Sequence, residues 1–155
     1  MSAPTGSILI TGANGGLGRG IVSKILSTPK LSAHHGIYTV RDASAAPELQ
    51  SILKKSTATA HSNELLSLDL SRLSNVRKVA SAINARVTSG EIPPLSALIL
   101  NAGFNDHGQH ALTEDRFDMS FVSTYLGHWL LTLLLLQSMD RKSGRIVVLG
   151  SGSCE

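Results

Sequence analysis

A glycine-rich turn near the N-terminus is the first part of the sequence that could bind a charged group. An apolar, β-prone run (residues 7–11) leads into GANGGLG (residues 12–18), and apolar residues then recur at helical spacing. The N–H groups and the dipole at a helix N-terminus attract anions, and glycines let a phosphate approach the backbone. The pattern therefore predicts a phosphate-binding turn between a first strand and a first helix.

The glycines of this turn have separate predicted roles. Gly12 makes the tight turn, Gly16 admits the phosphates, and Gly18 lets the helix pack against the strand. The alternative is a β-hairpin, because Asn14-Gly15 is a strong hairpin signal. The helical spacing after the turn, with glycines where a paired strand needs bulk, favours the phosphate turn. The ordinary G-x-G-x-x-G spacing of dinucleotide sites is absent.

Such a turn needs a scaffold of strands and helices. The clearest helix runs from about Leu73 to Val87, and a second covers roughly Thr113 to Met139. Strands separated by helices predict βαβ units, and hence a mostly parallel sheet covered on both faces. We therefore expect one α/β domain over residues 1–155. The predicted strands are Ser7–Thr11, Gly36–Arg41, Glu64–Asp69, Ala97–Asn101 and Arg145–Gly150.

Composition excludes several classes of protein. Hydrophobic residues are 42% and charged residues 16% of 155, which indicates a folded core rather than disorder. The net charge of +3 comes from scattered cations, so we expect no nucleic-acid partner. The single cysteine, Cys154, fits a reducing compartment, and we expect a cytoplasmic protein. The apolar stretch from Leu126 to Leu136 is too short for a membrane span. No cluster of cysteines or carboxylates accompanies His107 and His110, so we expect no metal site.

Four motifs in order resemble the short-chain dehydrogenase/reductase family. They are T-G-x-x-x-G-x-G at residues 11–18, LDL at 68–70, NAG at 101–103 and LGHWLLT at 126–132. The resemblance spans nearly the whole chain. It implies a Rossmann-type, doubly wound parallel sheet in the order 3-2-1-4-5, incomplete at the C-terminus. It also implies a nicotinamide cofactor held by Gly12, Asn14, Gly16, Leu17, Gly18, Arg41, Asp69, Leu70, Asn101, Ala102 and Gly103.

Two of these motifs also have simpler explanations. The resemblance implies that Asp69 meets the adenine and that the Asn101–Gly103 segment lies along the cofactor. Taken alone, Asp69 could end a strand and cap the next helix, and Asn101 with Gly103 could form an ordinary turn. Their order behind the glycine motif favours the binding roles.

The end of the second strand predicts which dinucleotide binds. An acidic residue there accepts the ribose hydroxyls of NAD and repels the 2′-phosphate of NADP. Val40 offers no carboxylate, and Arg41 offers a planar cation that can pair with the phosphate. The sequence therefore predicts NADP. NAD stays open if Asp42 turns inward, in which case Arg41 is a solvated surface residue.

The catalytic residues are only partly present in the sequence. The family places a serine after strand five, which matches Ser151, with Ser153 as a competitor and an ordinary serine turn as the alternative. No Y-x-x-x-K, the family's acid/base pair, occurs after Tyr38 or Tyr125. Thr124 stands where many relatives have asparagine, so a proton relay through that position is in doubt.

The resemblance implies an NADP-dependent oxidoreductase that interconverts a carbonyl and an alcohol in a small molecule. We expect the 155-residue chain by itself to be inactive, so whether it is an enzyme stays open. The alternative is a non-catalytic nucleotide-binding or interaction module. The leucine-rich helix around Leu126 to Leu136 is apolar nearly all round, which predicts cover on more than one side and a homo-oligomer through that helix.

Overall fold

The computed structural model describes residues 4–55, 61–104 and 108–150. The described strands form one parallel sheet in the order β3-β2-β1-β4-β5, which confirms the predicted fold. The candidate Ser151, its neighbour Ser153, Cys154 and His107 lie outside the described residues. The strands are β1 (Ser7–Ile10), β2 (His35–Val40), β3 (Asn63–Ser67), β4 (Leu95–Leu100) and β5 (Arg145–Val148).

Helices cover both faces of the sheet. The fourth helix matches the predicted one to within a residue, and a proline begins both the second and the third. Proline fits there because the first N–H groups of a helix have no partner within the helix. The helices are α1 (Gly16–Ser27), α2 (Pro29–Ser32), α3 (Pro47–Lys55), α4 (Leu73–Thr88) and α5 (Met119–Ser138).

Alternating side chains of the central strands supply two separate cores. Leu9 and Ile37 are fully buried and face the layer formed by α4 and α5. Ile10 and Tyr38, also fully buried, face α1 and α3. Successive residues of a strand point to opposite faces, so short apolar runs fill both layers.

The helix predicted from Thr113 begins six residues later, at Met119. The intervening chain folds back on itself, with the Thr113 N–H bonded to the Phe117 carbonyl and Arg116 at a φ of 62°. Asp118 then caps α5 by accepting from the Phe121 N–H at 2.8 Å. The helix predicted from the apolar periodicity is present. It begins later than predicted because this turn and the capping Asp118 precede it.

One face of α5 is in the core and another is exposed. Leu131 and Leu135 are fully buried, whereas Trp129, Leu133 and Leu136 are about half exposed. α5 is the one helix among the described residues that is long and apolar enough to cross a membrane, by length and composition alone. Its buried face packs on the α4 side of the sheet, as in the core helix of a globular domain. A homo-oligomer through the exposed face stays a prediction.

A network of charges ties β2, β3 and α4 together at the end of the sheet where β2 begins. Arg86 donates to both carboxylate oxygens of Glu64, at 2.8 and 2.9 Å, and His35 lies 3.1 Å from the same group. Partial burial by itself raises the pKa of Glu64, but the hydrogen bonds with His35 and Arg86 outweigh burial and hold it below its usual value. Arg86 also pairs with the more exposed Glu91.

We expect Glu64→Gln to lower the free energy of unfolding by about 1–3 kcal/mol at pH 7, because it removes a charged partner of Arg86 from a partly buried position. A lowered pKa in the folded state gives stability that is present above the unfolded pKa, about 4.3, and is lost as pH falls. The deficit should therefore shrink below about pH 4.3.

Urea denaturation at several pH values measures this effect. Glu91→Gln is the matched control, because Glu91 pairs with the same arginine but is 59% exposed, and it should cost less than about 1 kcal/mol. Equal losses from the two substitutions, or a Glu64→Gln deficit that does not change with pH, contradict the prediction.

Candidate functional site

A cavity of about 640 Å³ opens at the carboxyl ends of β1, β2 and β4. The strand order changes direction at β1, because β2 and β3 lie on one side of it and β4 and β5 lie on the other. In open α/β sheets this switch in strand order is where ligands bind. The cavity is lined by all the residues predicted from sequence to hold a cofactor: Gly12, Asn14, Gly16, Leu17, Gly18, Arg41, Asp69, Leu70, Asn101, Ala102 and Gly103.

The glycine turn is in close contact with the rest of the protein at Gly12 and Gly18, and it has open space at Gly16. Gly12 has a φ of 66°, and a Cβ there would lie 2.8 Å from the Cα of Ala102. A Cβ on Gly18 would collide with the Gly12 carbonyl oxygen, so helix α1 packs directly on the turn. A Cβ on Gly16, the first residue of α1, would meet nothing within 4 Å among the described residues. That space lies at the helix N-terminus, where anions are stabilised.

Asn101 and Thr11 bind the turn after β1 to the segment after β4. The Asn101 side-chain amide donates to the carbonyl oxygens of Thr11 and Gly12, at 2.9 and 3.1 Å. In return the Thr11 hydroxyl accepts from the backbone N–H groups of Asn101 and Ala102, each at 3.0 Å. The Asn101 side chain therefore holds the shape of the cavity, while its neighbours provide the lining.

Asp69 lines the cavity and also organises its own loop. One carboxylate oxygen accepts from the Ser71 N–H at 3.0 Å and from the Ser71 hydroxyl at 2.6 Å. Its backbone N–H donates to the side chain of Asn75, at 2.8 Å. The capping alternative is wrong, because Arg72 stands at the N-cap position of α4 and Asp69 bonds within its own loop. These local bonds occupy one oxygen of the carboxylate.

Arg41 presents a cation to the cavity at the end of β2. Its guanidinium carbon lies 5.8 Å from the centre of the Phe104 ring, and no carboxylate pairs with it among the described residues. Arg19, a basic residue of α1, is paired with Glu48. Asp42 accepts from the N–H and hydroxyl of Ser44, at 2.9 and 2.6 Å, and these bonds lower its pKa.

Two polar residues of α5 contribute to the site: Thr124, which the sequence singled out, and Ser123, which it did not. The Thr124 hydroxyl donates to the Phe104 carbonyl at 3.1 Å and accepts from the Phe104 N–H at 3.3 Å, so it holds the backbone after β4. Ser123 lines the cavity, and its buried hydroxyl has no partner among the described residues. Both lie in a π-helical stretch, Val122–Leu126. Stretches of this kind are frequent at functional sites but have no sequence signature that could have predicted this one.

Neither tyrosine of the chain is among the described residues that line the cavity. Tyr38 is fully buried beneath α1 and α3, where burial raises its pKa, and Tyr125 is 60% exposed on α5. Over residues 4–55, 61–104 and 108–150, no three His, Cys, Asp or Glu side chains come close enough to hold a metal ion.

The family model described as short chain dehydrogenase matches residues 7–155. The chain therefore belongs to the short-chain dehydrogenase family. It is 53% identical over 152 residues to the short-chain dehydrogenase iccH of Talaromyces variabilis, covering 97% of this chain and 42% of that protein. It is 36% identical over 155 residues to retinol dehydrogenase 14 of Mus musculus, covering 94% of this chain and 43% of that one. The chain thus spans less than half the length of these relatives.

Solved structures of short-chain dehydrogenases share the fold. A metagenomic short-chain oxidoreductase in complex with NADP superposes with a TM-score of 0.72 at 22% identity, over 98% of this chain and 64% of that one. NADPH-bound carbonyl reductase from chicken fatty liver superposes with a TM-score of 0.63 at 24% identity, over 85% and 50%. At these identities the likeness shows the common architecture.

The open space at Gly16 gives a direct test of the phosphate turn. We expect Gly16→Ala to leave folding intact, because its Cβ meets no described atom, and to weaken binding of a dinucleotide phosphate by about tenfold or more. Gly20→Ala is the matched control, since its Cβ also meets nothing within 4 Å among the described residues. It should leave binding unchanged and add about 0.5–1 kcal/mol of stability within the helix. Calorimetric titration and thermal melting measure both, and equal affinities of the two variants would contradict the phosphate turn.

Proposed function

We propose that the protein binds NADP(H) in this cavity, in preference to NAD(H), and uses it to interconvert a carbonyl and an alcohol. The observation that carries the choice of cofactor is the Arg41 guanidinium, which faces the cavity without a described carboxylate partner. An arginine at the end of the second strand can form charge-assisted hydrogen bonds to a 2′-phosphate. Val40 offers no acid. Asp42 also lines the cavity, and one oxygen of its carboxylate is bonded to Ser44.

The residues present fit a dinucleotide. The Oδ1 atom of Asn14 is buried in the turn with no hydrogen-bond partner among the described residues, as expected for a group that a ligand satisfies. The backbone at Gly16 has room for the phosphates beside the N-terminus of α1. On the opposite wall, Ala102 and Gly103 keep side-chain bulk low along the cofactor.

Asp69 and Phe104 fit the adenine end. The second carboxylate oxygen of Asp69 has no described hydrogen bond and can accept from the exocyclic amine of the base. The Phe104 ring and the planar Arg41 group offer two flat surfaces on which a base can stack. Three features of the ligand thus have partners: the phosphates, the 2′-phosphate and the base.

The proteins with which the chain was compared support both halves of the proposal. Two solved structures are described as bound to NADP or NADPH, and one of these is a carbonyl reductase. One relative in sequence is a retinol dehydrogenase, which acts on an alcohol by its name. These descriptions concern those proteins, and the reaction is carried to this chain as part of the proposal.

When bound, the nicotinamide supplies the hydride chemistry, and the protein supplies orientation and a proton. We assign to Ser151 the role of holding the substrate oxygen, from its match to the family's serine after strand five. The acid/base Tyr and Lys do not occur in the family's spacing within these 155 residues. Because the chain spans less than half the length of these relatives, activity is proposed for the whole protein. The Thr124 hydroxyl is engaged with the Phe104 backbone, so we assign it no part in proton transfer.

The preference for NADP can be tested by substituting Arg41. We expect Arg41→Ala to weaken NADP(H) binding by about ten- to a hundredfold, from the loss of charge-assisted hydrogen bonds, and NAD(H) binding by less than about threefold. Arg77→Ala, which removes one positive charge from α4 outside the cavity, is the control and should change neither affinity. Calorimetric titration with both dinucleotides measures the difference, and equal losses for NADP and NAD would defeat the assignment.

The reaction can be tested with the same protein. We expect the whole protein to oxidise NADPH in the presence of a carbonyl substrate, and Ser151→Ala to lower kcat by about a hundredfold or more. Absorbance of NADPH across a panel of aldehydes and ketones measures turnover. Tight NADPH binding without turnover, unaltered by Ser151→Ala, would instead support a non-catalytic nucleotide-binding module.

A further inference from the structure

Thr11 lies fully buried where β1, the segment after β4 and helix α5 meet. Its hydroxyl oxygen has three polar neighbours. Two are the backbone N–H groups of Asn101 and Ala102, each at 3.0 Å, and the third is the Nε2 atom of His128, at 2.8 Å. Thr11 is thus the junction between the glycine turn, the opposite cavity wall and α5.

Hydrogen-bond accounting fixes the direction of each bond. A hydroxyl has one proton to donate and two lone pairs that accept. The two N–H groups can only donate, so they occupy both lone pairs of the Thr11 oxygen. The Thr11 proton must therefore point at His128, and the Nε2 atom of His128 must be the acceptor.

The other ring nitrogen of His128 completes the assignment. The Nδ1 atom lies 3.1 Å from the carbonyl oxygen of Thr124, which can only accept, so Nδ1 carries the ring proton. The imidazole is 7% exposed, and burial lowers its pKa, against the smaller raising effect of the Thr124 carbonyl. His128 is therefore neutral, with its proton on Nδ1, because protonation of Nε2 would leave two donors facing each other.

Through these bonds α5 holds both ends of the segment after β4, residues 101–104. His128 acts on Asn101 and Ala102 through the Thr11 hydroxyl, and Thr124 holds Phe104 through its backbone N–H and carbonyl. The residues between these anchors form one wall of the cavity. A change in the His128 bond would therefore be transmitted to that wall.

We propose that His128 is a positioning residue of the nucleotide site: as a neutral imidazole protonated on Nδ1, it orients the Thr11 hydroxyl and so fixes the Asn101–Ala102 backbone against the cofactor. This proposal rests on the proposed function, from which it takes NADP(H) as the ligand. His128 itself is not among the described residues that line the cavity, so it acts only through Thr11.

Two substitutions separate positioning from simple packing. His128→Gln places an amide oxygen within reach of the Thr11 hydroxyl, whereas His128→Leu has a similar volume and no acceptor. We expect His128→Leu to weaken NADPH binding by about tenfold and His128→Gln to keep it within about threefold of wild type. Fluorescence titration with NADPH measures affinity, and thermal melting without nucleotide establishes that each variant is folded at the assay temperature.

The outcomes have distinct meanings. A folded His128→Leu protein that binds NADPH as tightly as wild type, or His128→Gln as weak as His128→Leu, overturns the positioning role. If wild type binds neither NADP(H) nor NAD(H), the proposed function fails instead.

A spectroscopic measurement on the wild-type protein tests the hydrogen-bond assignment without any substitution. Nitrogen-15 correlation spectra of the histidine rings at neutral pH should show His128 neutral, with its proton on Nδ1. A proton on Nε2, or a doubly protonated ring, overturns the proposal even if His128→Leu fails to fold.

Discussion

The close contact between the turn after β1 and the segment after β4 is the constraint on which the site depends. Gly12 and Ala102 approach so closely that a Cβ on Gly12 would lie 2.8 Å from the Ala102 Cα atom. The Asn101 side chain crosses the same gap to two carbonyl groups of the turn. With these strand ends fixed, the N–H groups at the start of α1 and the wall after β4 face one another across a single cavity.

The charges around the cavity follow a common pattern. Asp42 and Asp69 both accept hydrogen bonds from the N–H and the hydroxyl of the serine two residues later. These local bonds anchor each carboxylate to its own loop, as Asp side chains commonly do in turns. Arg41 is held instead by an aromatic ring, which leaves the polar edge of its guanidinium group available. The site therefore keeps its cation accessible, whereas each carboxylate has one oxygen bonded within its own loop.

The sequence predicted the sheet well because the strands are short, apolar and separated by helical patterns. All five strands occur within a few residues of their predicted bounds, and α4 agrees to one residue. The start of α5 was wrong because the turn around Thr113 and the capping bond of Asp118 have little hydropathy signature. The glycines predicted the turn after β1 because close backbone contacts leave no room for a Cβ at Gly12 and Gly18.

The parts of the site that were missed depend on contacts between distant segments. Phe104 reaches Arg41 only because β2 and β4 end at the same edge of the sheet, and periodicity along the chain carries no information about that contact. The same holds for the bond between Thr11 and His128, which joins residues 117 positions apart. The T-G and LGHWLLT motifs contain both residues, but only the fold shows that they meet.

The strand order also governs how the chain reaches this structure during synthesis. β1 pairs with β2 soon after both are made, but its other edge waits for β4, whose residues pair with β1 from Leu95 onward. At about 5–20 residues per second, that apolar edge stays open for several seconds. Open strand edges template pairing with other chains. The arrival of β4, which completes the cavity, therefore also covers the open edge of β1.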